Sequence, residues 1–322
     1  MKKPFGGEAP FNAQGVFYAM VHSGRGALRL LLASGLAKKR ILLPDYLCKI
    51  VLEVMHQYKA TCDFYHVKPD LTFDWKQIKG KRYDALYVIN YFGQKTKIRP
   101  ALLQGKTLII DDVFSPLPEF PKGVGAWVIF NSLRKVMPLA EGALVAANFP
   151  LRTEEIKSTA GEFATFKYKA KQIKADYLTL QKGHQQAYLN MFAMAEAKLD
   201  TDRGIHIPSL MTLGLLPVQY SNLEKEQKIR QSQYQILDKC LNAYKIDLKP
   251  DNFSFYVLKV NCRDSLKEYL AKQGIFLPAH WPVVKGLSNL LYDQILSIPL
   301  DSRYSDAQIR MVAYAIRRFF NE

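Results

Sequence analysis

Long apolar runs are missing from this chain. No window reaches the roughly 18 apolar residues that a membrane-spanning helix needs, and the most apolar stretch, Ile41 to Met55, is broken by Asp45, Lys49 and Glu53. The amino-terminal MKKPFGGEAP has no apolar run behind its lysines, so it does not read as a secretion signal. Cysteine is scarce too. Cys48, Cys62, Cys240 and Cys262 form no CxxC pair and have no histidine nearby at zinc spacing. A reduced, cytoplasmic protein is the expectation, with no metal and no membrane contact. No internal repeat and no low-complexity segment is present.

What the chain has is ample core material. Hydrophobic residues make up 48% of 322, enough for one large domain and a smaller one. The formal charge of +16 admits two functional readings. Dense Lys and Arg can release counterions from a nucleic-acid backbone, or raise the local concentration of an anionic small substrate. The basic residues are spread from Lys2 and Lys3 through Arg40 to Arg318, and the densest run is Lys167, Lys169, Lys171 and Lys174. Nothing resembles a tail or a recognition helix, and aromatics are not interleaved with the basic residues as on single-strand platforms. No nucleic-acid partner is expected.

Short apolar runs alternate with helical stretches over residues 20 to 150. Leu42 sits in RILLPDY, a buried strand closed by a turn; Ile50 to Tyr58 is predicted helical and Thr61 to Val67 extended. Ala85 to Asn90, Thr107 to Ile110, Ala126 to Phe130 and Ala143 to Ala147 continue the strands. This alternation predicts a mainly parallel sheet with helices on both faces, and such sheets bind ligands beyond the carboxyl ends of their strands. Residues 152 to 202 are polar and predicted helical. Asn222 to Tyr244 is an amphipathic helix, Phe253 to Val260 a strand and Asp264 to Gly274 a helix. Ser305 caps a closing helix that runs to Phe320. The expected division is a large α/β domain over 1–205 and a small α+β domain over 206–322.

Three groups of residues point to chemistry. Ser23-Gly24-Arg25-Gly26 opens an apolar helix, whose free amides and positive dipole end suit a phosphate. The blander alternative is an ordinary turn. A dehydrogenase fingerprint needs GxGxxG, but arginine fills the third glycine position here. Asp111 and Asp112 close an apolar strand, and only one of two neighbours faces a given side. With no second acidic cluster at ligand spacing, a lone carboxylate holding a ring nitrogen protonated fits better than a metal site. Lys135 is ringed by Leu133, Val136, Met137 and Leu139, and desolvation lowers a lysine pKa toward the nucleophilic range. A surface lysine at a turn is the commoner fate. Ser132, three residues before it, is a further candidate for phosphate. An amine, an acid and a phosphate cradle together suit pyridoxal phosphate (PLP), which needs a lysine, a protonated ring and a phosphate site.

In chain order, SGRGAL, ILLPDY, YFGQ, LIIDDVFS, SLRK and AEGALV resemble the DegT/DnrJ/StrS aminotransferases. GIFLPAHWP and the closing ILSIPLDSRYSDAQIRMVAYAIRRFF are similar to that family's carboxyl-terminal end. The resemblance implies a fold-type-I PLP-dependent transferase and amino transfer to a keto-sugar nucleotide or similar anionic carbonyl compound. It further implies an amino-acid donor such as glutamate, and a homodimer. By the same resemblance Lys135 carries the cofactor and Asp112 meets its ring nitrogen. Gly24, Arg25, Gly26 and Ser132 hold the phosphate, Ser115 stands where Gln or His is usual, and His280 faces substrate. Cys48 replaces a common ring-stacking aromatic, and Asn90 a frequent His. These departures motivate a second hypothesis, a catalytically altered protein that senses a ligand.

Overall fold

The structure, a computed structural model, describes residues 15–321; the Met1 to Pro10 stretch read above lies outside them. The first strand, β1 (Phe17–Val21), leads into α1 (Gly24–Ala33). There follow β2 (Arg40–Pro44), α2 (Lys49–Gln57), β3 (Thr61–Tyr65), β4 (Ala85–Ile89), β5 (Thr107–Asp111), β6 (Ala126–Phe130) and β7 (Ala143–Ala147). They form one seven-stranded sheet in the order β1-β7-β6-β5-β4-β2-β3. Strands β2 to β6 are parallel, and β7 alone runs against both of its neighbours. Every residue of β4 (ALYVI) and β5 (TLIID) is buried, as expected of central parallel strands covered on both faces.

This topology sets the functional edge. The carboxyl ends of β1, β2, β4, β5 and β6 converge on one side, where the antiparallel β7 begins. The turn into α1, the start of α2, the Asp111-Asp112 pair and the 131–142 segment therefore meet there.

After β7, α3 (Glu162–Leu180) and α4 (Gln185–Thr201) form a helical hairpin. The chain then passes through α5 (Leu210–Ser221), α6 (Leu223–Leu241), β8 (Phe255–Lys259), α7 (Arg263–Ala271), α8 (Leu291–Gln294), β9 (Ile295–Pro299) and α9 (Asp306–Phe319). Strands β8 and β9 pair antiparallel. A second core of Leu237, Leu241, Tyr256, Leu258, Leu296 and Ile316 fills the space beneath α6, α7 and α9. Helix α9 starts on a reciprocal cap in which Ser305 Oγ accepts the Gln308 amide and Gln308 Oε1 accepts the Ser305 amide, the expected N-cap.

Three elements were not foreseen, one of them the single-turn α8. Strand β1 is five apolar residues, FYAMV, a run too short for periodicity to classify. Helix α5 contains Gly214 and Pro217, both of which argue against a helix. Packing overrides that local cost. Leu215, Leu216 and Tyr220 lie against the buried Leu133, Val136, Met137 and Leu139, so α5 backs the lysine-bearing segment.

Candidate active site

The site begins with the cap of α1. Ser23 Oγ accepts the Gly26 amide at 3.1 Å, satisfying one of the free donors at a helix start. The amides of Gly24 and Arg25 make no hydrogen bond within the described residues. They are open donors at the positive end of the helix. His22, fully buried, braces this turn. Its Nδ1 accepts the His206 amide at 3.3 Å, so the proton sits on Nε2, which lies 3.2 Å from Ser23 Oγ and 3.6 Å from Asp202 Oδ2. Burial pulls the imidazole down to about 4, with Asp202 pulling back up, so His22 is neutral at neutral pH.

The brace explains one glycine. A Cβ on Gly26 would lie 2.8 Å from His22 Cε1, and the buried ring is held in place by Ser23, the His206 amide and Asp202. Gly26→Ala should therefore lower stability by about 1–3 kcal/mol despite alanine's better helix propensity, read as a lower urea midpoint with unchanged slope. Gly26 is a packing glycine. The Arg25 side chain also has a structural use, donating to Leu199 O at 2.9 Å and Asp200 Oδ1 at 2.8 Å and so tying α1 to α4.

Beyond β6 the chain runs through Asn131 and Ser132 into a single turn, Leu133–Lys135. Lys135 Nζ stands 4.8 Å from the centre of the Phe114 ring. Burial lowers its pKa, partly offset by Cys48 and Asp111. A cavity of about 110 Å³ joins Lys135 to Ser23, Gly24, Arg25, Cys48, Tyr87, Asp111, Val113, Ser132, Arg134 and Trp281. One cavity thus holds an amine, a carboxylate and the open end of a helix.

The carboxylate that lines this cavity is that of Asp111; Asp112, the acid expected from the sequence, does not line it. In the sheet register Ile89, Asp111 and Phe130 stand side by side, and all three line the cavity. Tyr87 OH donates to Asp111 Oδ2 at 2.6 Å. Burial raises the Asp111 pKa, while Lys135 and Tyr87 hold it down. Strand alternation sends the next side chain to the other face. There Asn90 Nδ2 donates to Asp112 Oδ1 at 2.8 Å, and Asp112 Oδ2 is buried without a partner. Burial raises that carboxyl to about 6. Asp112 does not line the cavity.

Other expected residues separate in the same way. Ser132 and Cys48 line the cavity. Ser115 does not; its Oγ donates to Leu117 O at 2.8 Å, and with Asn90 it surrounds Asp112 rather than Lys135. The substitutions at Asn90 and Ser115 therefore leave the cavity itself untouched. His280 lines neither of the two cavities that reach Lys135. It is wedged among the rings of Phe92, Phe114 and Phe255 at 5.0–5.7 Å, bonded at Nδ1 to Ser297 Oγ at 3.0 Å. Burial takes it down to about 3, helped by Lys135.

The sequence reading missed Trp281 as a cavity wall and Glu141 as a support. Trp281 stands with Tyr46 and Tyr91 in an aromatic group and lines the cavity together with Cys48. Glu141 is fully buried, accepting the Ser209 amide at 2.7 Å and Thr212 Oγ1 at 3.0 Å. That ties the loop after Lys135 to α5. The AEGAL stretch carried the signal, a lone acid among small residues.

Solved structures share this whole arrangement of strands and helices. A DegT DnrJ EryC1 StrS aminotransferase from Brucella abortus superposes with a TM-score of 0.62 at 18% identity, covering 95% of this chain and 86% of that one. The chain has the fold of the sugar aminotransferases. Helicobacter pylori PseC, an aminotransferase of pseudoaminic acid biosynthesis, gives 0.62 at 14% identity over 94% and 86%. The histidinol-phosphate aminotransferase from Clostridium acetobutylicum gives 0.56 at 16% identity over 96% and 85%, so the likeness in fold is not confined to the sugar aminotransferases. No protein-family model and no curated protein matches the sequence. Among the described residues, no helix is long and apolar enough to cross a membrane.

Proposed function

We propose that this protein is a PLP-dependent aminotransferase that moves an amino group from an amino-acid donor, glutamate first among candidates, to a keto-sugar nucleotide or similar anionic carbonyl compound. One observation carries the reading: Lys135, Asp111 and the open amides of α1 share a single cavity in a fold common to sugar aminotransferases.

The residues present fit the cofactor. Lys135 would hold it covalently, Asp111 would accept a hydrogen bond from its ring nitrogen, and the Gly24 and Arg25 amides with Ser132 would hold its phosphate. When bound, PLP supplies an aldehyde and a cationic ring that takes up electrons from the substrate. The chain's own part is then to place and move protons. A lysine amine whose pKa is lowered by burial is unprotonated more of the time, so Nζ serves as a base for the proton on the substrate carbon. Asp111, raised by burial with Lys135 and Tyr87 pulling it back down, would accept the hydrogen bond that keeps the ring nitrogen protonated. Val113 and Trp281 wall the cavity and limit access of water to the reacting carbon. We further propose a homodimer, and a division of the chain into a cofactor-binding part, 1–205, and a smaller part, 206–322.

The test is amino transfer from glutamate across a panel of keto-sugar nucleotides, followed by the cofactor's absorbance change and product mass. Transfer to one or more members is the expected result. Tight PLP binding with no turnover on any member would instead favour the ligand-sensing protein.

A further inference from the structure

A second and larger cavity, about 520 Å³, also reaches Arg134 and Lys135 and extends between α3, α6 and the loop after β9. Its charged lining is lopsided. Arg134, Lys135, Lys171, Lys225, Arg230 and Arg303 face only Glu226 and Asp301. Both acids are already engaged. Glu226 Oε1 takes Arg230 Nε at 3.2 Å and the Ser302 amide at 3.0 Å, and Asp301 takes Arg303 through two bonds of 2.7 and 2.6 Å. Arg230 is further fixed on Val136 O at 2.7 Å, and Arg134 pairs with Glu196 at 3.4 Å.

Lys171 and Lys225 make no hydrogen bond or ion pair among the described residues, but Lys225 is exposed and Lys171 is partly buried. The charged groups that weigh most on Lys171, namely Lys167, Arg303, Lys174 and Arg134, are positive. Burial and these neighbours lower its pKa to about 8. A cation enclosed by cations is unfavourable until a negative group joins it. The excess of positive charge suits a multiply charged group better than a single carboxylate.

We infer that Lys171 is the centre of an anion subsite that receives the phosphate-bearing end of the acceptor and so selects the substrate. This rests on the aminotransferase reading, because the subsite is defined by its reach to Lys135. It sits apart from the cofactor's phosphate cradle, since Ser23, Gly24 and Ser132 line only the smaller cavity.

The experiment uses protein loaded with PLP and reduced with borohydride, which occupies that cradle. Peptide mapping of the loaded protein reports on the aminotransferase reading before any probe is added. Calorimetry then measures inorganic pyrophosphate, with glutarate as the dicarboxylate arm. Pyrophosphate should bind more tightly than glutarate. Lys171→Gln should weaken pyrophosphate by on the order of ten-fold, the worth of a charge-assisted contact, while Lys171→Arg keeps it. Between pH 7 and 9 the wild type should lose affinity relative to Lys171→Arg, because the lysine discharges through about 8 and arginine does not; the arginine variant also corrects for titration of the probe. Lys171→Gln should melt no lower than the wild type, since it removes repulsion. Pyrophosphate affinity unchanged by Lys171→Gln, no binding of pyrophosphate, or glutarate binding as tightly would each overturn the subsite. Any of these with PLP found on Lys135 leaves the aminotransferase reading intact.

Discussion

Lys135→Ala should abolish amino transfer, and borohydride treatment with PLP should then leave no cofactor attached. In the wild type the same treatment, followed by peptide mapping, should place the attachment on Lys135. The argument is positional. Among the described residues, Lys135 is the one lysine lining the cavity that also holds Asp111 and the open end of α1, and burial keeps it less basic than an ordinary lysine. Loss of a covalent anchor that is also the proton carrier removes two functions at once, so the rate should fall by on the order of 10³-fold or more. Lys135→Arg is the sharper control: it keeps a cation beside Phe114 but offers no nucleophilic amine, and should be as inactive as alanine.

The sign of the pH effect follows from the same burial. A lowered folded-state pKa means that the charged amine is disfavoured in the fold, so it costs stability in full below the folded pKa, a cost that shrinks as pH rises past that value and is gone only above the ordinary 10.5. Lys135→Ala should therefore melt no lower than the wild type near neutral pH. A variant that is inactive because it has unfolded would show the opposite. Attachment of PLP to Lys167 or Lys171 instead would move the site and overturn the assignment.

Much of the sheet was legible because central parallel strands are short, continuous apolar runs. ALYVI and TLIID declare themselves, and the antiparallel β7 is equally apolar. The cavity was legible in its parts because the amine, the acid pair and the glycine turn each close an element at the same sheet edge. What sequence could not decide was rotation about a strand axis. Asp111 and Asp112 are chemically identical neighbours, and which of them meets the lysine depends on register with β4 and β6. Nor could the chain order alone show that Asn90 and Ser115 stand with Asp112, outside the lining of the cavity that Lys135 reaches. Helix α5 escaped for another reason. Its glycine and proline speak for a loop locally, and only the apolar underside of the 133–139 segment, distant in sequence, makes it a helix. Trp281, too, reaches the cavity from more than a hundred residues beyond Lys135, with no pattern linking the two.

Asp111→Asn and Asp112→Asn should behave oppositely, although they alter adjacent residues by the same atom. Asparagine at 111 cannot hold a ring nitrogen protonated, so amino transfer should fall on the order of 10²–10⁴-fold. The cofactor should bind more weakly, even though the Tyr87 hydroxyl can still donate to the amide oxygen. Asparagine at 112 keeps an acceptor for Asn90 and should leave the rate close to the wild type. Its effect is on stability. The Asp112 carboxyl is raised by burial from 3.8 to about 6, and it is only 1% exposed, so the ionised form costs the folded state up to about 3 kcal/mol at pH 7, at 1.36 kcal/mol per unit. The raised folded-state pKa fixes the sign: stability is favoured below the unfolded value of 3.8 and is lost as pH rises through about 6. Asp112→Asn removes that loss and should gain about 1–3 kcal/mol at pH 7, less than the full figure because its buried amide lacks one partner. The gain should vanish toward pH 4. Urea unfolding of both variants at pH 4 and pH 7, beside their transfer rates, checks all of this. An inactive Asp112→Asn with an active Asp111→Asn would return the ring-nitrogen role to Asp112.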